Sequence, residues 1–442
     1  MRIFLYMTTA LVLATGAATA QDAAKPAPKT YMHCGHVVDP SLGPKDLGAH
    51  TIIIAGDKIA EVKPGTVDAE AGAKVIDLPT SYCLPGLVDA HTHLDSQYDR
   101  GGFVSFLTRT PPDVALRATQ HAARTLLAGF TTVRDAGGAD GVDIALRDAI
   151  ARGDIIGPRM FVAAQAISIT GGHGDGTGGY REDRLIQPTE TRGVADGVEA
   201  VTKATRLSIK RGADQIKFMA SGGVLSQADN ATSPQFSQEE MNAIVSTARD
   251  HGLKAMAHAH GDEGARRAVV AGVSSIEHGT FISDATFQLM KKNGTYLVPT
   301  IIAGMTVAEN AKTAGFYPPS VTIKALDVGP RMGASFARAH KIGVKIAFGT
   351  DAAVYPHGTN AKEFQYMVEN GMTPLEAIQA STREAPTLMG HFEEFGSLEK
   401  GKFADVIAVA SNPLADVKVL QDVRFVMKAG TVYKADGKRV GP

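Results

Sequence analysis

Across residues 84–350 the sequence alternates short apolar runs with amphipathic stretches, and no other feature limits the possible folds as strongly. The runs 84–94, 131–136, 160–167, 215–220, 254–260, 274–278, 296–301 and 344–350 have the length and the bounding Gly or Pro residues of buried strands. Helical periodicity fills the gaps at 114–128, 143–152, 191–211, 238–251 and 262–271. Ser237 with Glu240, and Thr373 with Glu376 and an intervening Pro374, are capping boxes that start helices. Eight β/α alternations over this length predict an α/β chain closed into a parallel (β/α)8 barrel with its helices outside; an open, doubly wound sheet is the structural alternative.

The flanks have a different texture. Residues 31–38, 51–55, 58–62 and 74–77 read as short strands separated by Gly and Pro clusters, and strand-like sequence returns at 396–409 and 423–433. The expected organisation is a signal segment at 1–20, a small discontinuous β-sandwich from 21–84 and 391–442, and a barrel at 85–390. Met1-Arg2, the apolar stretch 3–18 and the Ala18-Thr19-Ala20 cleavage pattern predict export to the periplasm or medium, with a mature start at Gln21 and no membrane anchor afterwards. Cys34 and Cys83 are too few for a disulfide scaffold; a single bridge and two buried thiols both suit them. A net charge of −1 leaves no basic excess for nucleic acid or an anionic membrane, so the partner to expect is a small molecule.

In a barrel of this type reactive groups stand at the C-terminal ends of strands. His91 and His93 share a strand face at i and i+2, which is half of a metal site. Lys217 lies among apolar strand residues, where a lysine loses its charge readily and can react with carbon dioxide to form a carbamate. His258, His260, His278 and Asp351 end the fifth, sixth and eighth runs. Any one of them alone is unremarkable; together they point to metal binding.

These residues, with the phrases Met219-Ala-Ser-Gly-Gly-Val-Leu-Ser226, Ile276-Glu-His-Gly279, Asp351-Ala-Ala-Val-Tyr-Pro-His-Gly358 and Gly396-Ser-Leu-Glu-Lys-Gly401, resemble the amidohydrolase superfamily. Within it the sequence is similar to the Xaa-Pro dipeptidases and ochratoxin-type amidohydrolases. The resemblance implies two divalent metal ions, usually zinc, bridged by a carboxylated Lys217 and a hydroxide. His91, His93 and Asp351 would hold the more buried ion and His258 and His278 the other, with Asp351 also passing protons. It further implies cleavage of an amide bond to a carboxy-terminal amino acid, and a homo-oligomer. His260, His173 in the glycine-rich stretch 170–179, Ser221 and His357 are the expected substrate contacts. Thr382-Arg383-Glu384-Ala385 departs from the family's Thr-x-Asn-Ala. A lactonase, phosphotriesterase or cyclic-amide hydrolase would use the same ligand set. A mononuclear deaminase or imidazolonepropionase would place Glu where Gly261 stands, and a non-catalytic relative would lack ligands.

Overall fold

The computed structural model describes residues 28–441 except 41, 42, 44 and 101, so the expected export segment lies outside the described residues. Among the described residues no helix is long and apolar enough to cross a membrane.

Two parallel sheets supply seven barrel strands. The first contains Leu87–Thr92, Phe130–Asp135 and Arg159–Val162, and the second Ile216–Met219, Ala255–Gly261, Ser275–Phe281 and Tyr296–Val298. The first, second, fourth and fifth strands are buried along their whole length, as strands covered on both faces must be. Backbone bonds join the sheets into a ring. The Ile167 N–H donates to Lys217 O at 2.9 Å, and segment 345–348 takes the eighth place, with Leu297 N–H donating to Lys345 O at 2.8 Å and Ala90 N–H to Phe348 O at 2.9 Å. The ring therefore closes, and the open sheet is ruled out.

Some strands stop earlier than periodicity suggests, for identifiable reasons. The third ends at Val162 because Ala164 takes a positive φ of 55°, and only a bridge at Ile167 resumes the pairing. The seventh ends at Val298 because Thr300, at φ 48°, turns the chain into helix Ile301–Ala311. The buried Glu363 carboxylate accepts from the Ile301 and Ile302 N–H groups at 2.8 and 2.7 Å and satisfies that helix start. The helix expected over 191–211 begins only at Val198, after Gly193 and Gly197 break the chain at φ 79° and 84°. Both capping boxes are formed.

The terminal segments build one continuous eight-stranded sheet. Its halves meet where Lys74–Pro85 pairs antiparallel with Val406–Val409. The sheet curls over a common core in which Met32, Ile52 and Ile59 pack with Val406, Phe425 and Met427, and Lys58 bridges to Phe403. The sandwich is thus a single sheet folded over itself. Cys34 and Cys83 lie on adjacent strands and form a disulfide, which settles the question the sequence left open. Only Gly86 separates this sheet from the first barrel strand; a Cβ there would lie 2.1 Å from Thr131 Oγ1, so glycine lets the chain pass directly from one sheet to the other.

Candidate active site

Period-two geometry delivers the first pairs of side chains. Lys217 and Met219, and His258 and His260, each stand two residues apart on a strand, His91 and His93 straddle the end of theirs, and all six line one cavity of about 230 Å³ at the barrel mouth. His278 and Asp351 arrive differently. Both occupy the left-handed region, at φ 73° and 58°, where a side-chain-bearing residue costs about 1–3 kcal/mol. The chain leaves strand geometry at these two positions and turns their side chains into the same cavity.

Each histidine is fixed through one ring nitrogen, which leaves the other for the cavity. His91 Nδ1 meets Glu277 Oε2 at 2.7 Å, His93 Nδ1 the Gly137 carbonyl at 2.8 Å, and His278 Nδ1 the Thr300 hydroxyl at 2.7 Å. His258 is held the other way round, through Nε2 to the Gly222 carbonyl at 3.1 Å, and His260 through Nδ1 to Thr280 Oγ1 at 2.8 Å. Such outer partners set the tautomer and aim of a metal-binding imidazole. The result converges: Asp351 Oδ1 lies 3.6 Å from His91 Nε2 and 3.5 Å from His93 Nε2, and ligand atoms of His91, His278 and Asp351 fall within 4.8 Å of one another.

Electrostatics favours a cation here. Burial, reinforced by the Lys217 ammonium, lowers the pKa of His93 to about 4 and holds that of His91 well below the usual range, so both are neutral donors near pH 7. Burial and neighbouring imidazoles do the same for His258 and His278. Buried His91 Nε2 has no hydrogen-bond partner, an orphan that a cation would satisfy. Lys217, 2% exposed, has its pKa lowered by burial to about 8, which makes the free amine accessible. Burial raises Asp351 to about 6. Neutral imidazoles, a reactive lysine and a carboxylate form a donor set suited to divalent metal ions.

A buried charge pair lies behind this set. Arg134, on the second barrel strand, donates through Nη2 to Glu277 Oε1 and Oε2 at 3.0 and 3.2 Å and through Nε to the Ala90 carbonyl at 2.6 Å. Sequence reasoning missed both residues as functional supports. The available signal was a charged residue in each of two otherwise apolar strands, since buried charges survive only in pairs.

The remaining expected residues separate. His173 lines the cavity, with its ring 4.3 Å from that of His258 and its Nδ1 2.9 Å from Ser226 Oγ. Gly223 makes room for it, because a Cβ there would lie 2.1 Å from His173 Cε1. His260 lines the cavity too, whereas Ser221 and His357 stand behind it. Ser221 Oγ donates to the Ala231 carbonyl at 3.1 Å and accepts from the His260 N–H at 2.9 Å, so it braces the fifth strand. His357 stacks on His121 with ring centres 4.4 Å apart and engages the Ser96 carbonyl at 2.8 Å. Position thus makes both scaffold residues.

Comparison with known proteins agrees with this arrangement. The amidohydrolase family profile matches residues 82–434. Ochratoxinase of Aspergillus niger is 38% identical over 377 residues, covering 81% of this chain and 76% of its own. Its crystal structure superposes with a TM-score of 0.81 at 33% identity, over 92% of this chain and 96% of that one. A Xaa-Pro dipeptidase with methionine bound in its active site has a TM-score of 0.89 at 45% identity, over 92% of this chain and all of that one. With a matched segment that runs from the last strand before the barrel into the closing strands of the terminal sheet, this chain belongs to the amidohydrolase family.

Proposed function

We propose that the protein is a metal-dependent hydrolase of the amide bond to a carboxy-terminal amino acid, acting on dipeptides or N-acyl amino acids. The observation that carries this reading is the convergence of His91, His93, His278 and Asp351 on one cavity that also contains Lys217. His91, His93 and Asp351 would hold one divalent ion, zinc being the family's usual choice, and His258 and His278 a second. A carbamate on Lys217 would bridge them, formed when the neutral amine adds to carbon dioxide and releases a proton. His258 suits the ligand role better than His260. Its ring centre lies 4.6 Å from that of His278, against 5.0 Å for His260.

When bound, such ions supply an acidified attacking water and a polarised scissile carbonyl. The chain's own residues do the rest. Asp351, facing His91 and His93, accepts the proton of the attacking water on a carboxylate oxygen and returns it to the leaving nitrogen. His173 and His260 stand on the outer side, where they can donate to the substrate's carbonyl or carboxylate. Glu277 and Arg134 hold His91 in place. Export and self-assembly belong to the same proposal.

Metal-loaded and chelator-treated protein should be assayed side by side on dipeptides, N-acyl amino acids, a lactone and a phosphotriester. Amide cleavage that disappears on chelation and returns with zinc is expected. Cleavage of the lactone or phosphotriester alone would replace this reading with the ester-hydrolase one.

A further inference from the structure

The cavity has two unlike ends. One carries the histidines, Lys217 and Asp351; the other is walled by Val224, Val307, Val328, Met332 and Val354, which form one apolar cluster with Leu225 packed against it. Val307 comes from helix Ile301–Ala311, Val328 and Met332 from helix Pro319–Ile342, and the other three from loops after the fourth and eighth strands. From these observations, and resting on the amide-hydrolase reading above, we infer that one of the two groups flanking the scissile amide is an uncharged apolar side chain of leucine or methionine size, seated between these two helices.

Three features support this assignment. First, among the described residues that line the cavity, the only carboxylic acid and the only lysine, Asp351 and Lys217, belong with the histidines. A carboxylate or ammonium in the apolar half would be buried without a countercharge, which is strongly unfavourable. Second, the cation one turn from the apolar wall, Lys324, is already engaged. Lys324, one turn before Val328, donates through Nζ to the carbonyls of Gly223 and Ser226 at 2.7 and 2.6 Å and to Asp229 Oδ1 at 3.1 Å. Its charge secures the loop that carries Val224 and Leu225, so an acidic side chain finds no partner there.

Third, the depth of the apolar end is fixed by a glycine. A Cβ on Gly304 would lie 2.2 Å from Met332 Sδ, and one on Gly329 would lie 2.3 Å from the Gly304 carbonyl oxygen. The two helices therefore meet backbone to backbone, and the Met332 thioether lies over Gly304 as the end wall. The whole cavity, at about 230 Å³, is smaller than the roughly 300–1,000 Å³ of sites for drug-sized ligands. It accommodates a flexible aliphatic chain more readily than a large ring, and a methionine wall adapts to such chains.

The test uses the metal-loaded full chain and two dipeptide series, Xaa-Gly and Gly-Xaa, with Ala, Leu, Met, Asp and Lys as Xaa. One methylene in an apolar pocket discriminates by roughly 10- to 200-fold. In at least one series kcat/KM should therefore rise about tenfold or more from Ala to Leu and Met, and stay about 100-fold lower for Asp and Lys. Met332→Ala and Val307→Ala should each reduce the Leu-to-Ala ratio about tenfold, and this ratio does not depend on how much of a variant is folded. Calorimetry on metal-free protein gives a second readout, in which L-leucine should bind about tenfold or more tightly than L-aspartate. Two flat series, a preference for Asp or Lys, or an unchanged ratio in both variants would overturn the inference and leave amide hydrolysis standing. Cleavage of no dipeptide in either series, with a lactone hydrolysed, would instead remove the reading on which it rests.

Discussion

The histidine half of the cavity stands on strand ends, and the apolar half stands on two helices and a loop. In the first half every imidazole is held by a specific outer partner: Glu277, Gly137, Thr300, Gly222, Thr280 or, for His173, Ser226. In the second, Met332 and Val307 are held by packing, and the polar anchors lie outside the walls: Glu363 at the start of helix Ile301–Ala311, and Lys324 and Asp229 in the adjoining loop. Directional bonds suit a task that tolerates little displacement, such as presenting ring nitrogens to a cation. Packing alone suits a task that tolerates repacking, and substrate preference can therefore change in the second half without disturbing the first.

That contrast predicts where substitutions act, beginning with the largest effect. Glu277→Gln removes the charge facing Arg134 and weakens the grip on His91 Nδ1. Loss of one partner of a buried ion pair costs about 3–5 kcal/mol, and loss of an outer partner of a metal ligand about 10- to 100-fold in affinity. Chemical denaturation and metal titration should show both, and unchanged metal affinity would break the claim that the histidine half depends on its outer partners. Next, Cys34→Ser with Cys83→Ser opens a bridge spanning a sequence separation of 49 and should lower stability by about 2–4 kcal/mol, read by thermal melting. Metal content should not change, because the bridge lies in the terminal sheet.

Gly223→Ala forces His173 away from His258 and should lower kcat/KM about tenfold, on the scale of one lost hydrogen bond, with little change in melting temperature. An unaltered kcat/KM would place His173 outside the reaction. Ser237→Ala removes the side chain that caps helix Gln238–Asp250 and should cost only about 1 kcal/mol, with activity intact.

The two halves also differ in how far the sequence reveals them. His91 with His93, Lys217, and His258 with His260 could be read because strand period two places each pair on one face. His278 and Asp351 could be read as residues but not as geometry, since each turns into the cavity through a positive φ that strand alternation does not anticipate. Ser221 and His357 looked like pocket residues from their neighbourhood in the chain. Their hydrogen bonds to Ala231 and Ser96 are tertiary facts that no local pattern carries. The apolar half was invisible for the same reason, because Gly304, Val307, Val328 and Met332 read as ordinary core positions until two helices bring them to the barrel mouth. Eight alternations were enough to specify the ring, while the early ends of the third and seventh strands depended on Ala164, Thr300 and Glu363.

Two of the Lys217 properties make it the most informative position. Its pKa, lowered by burial to about 8, means that at fixed dissolved carbon dioxide the rate of carbamate formation on metal-free protein should rise from pH 7 and level off above about pH 8. It is also the only lysine among the described residues lining the cavity. The most direct test of the account is therefore metal analysis and amide hydrolysis of the native protein and Lys217→Ala, each reconstituted with zinc and bicarbonate. The account predicts two metal ions per native chain, and for Lys217→Ala loss of at least one ion together with about a thousandfold or greater loss of kcat/KM. Full activity of Lys217→Ala with two metal ions bound would contradict it.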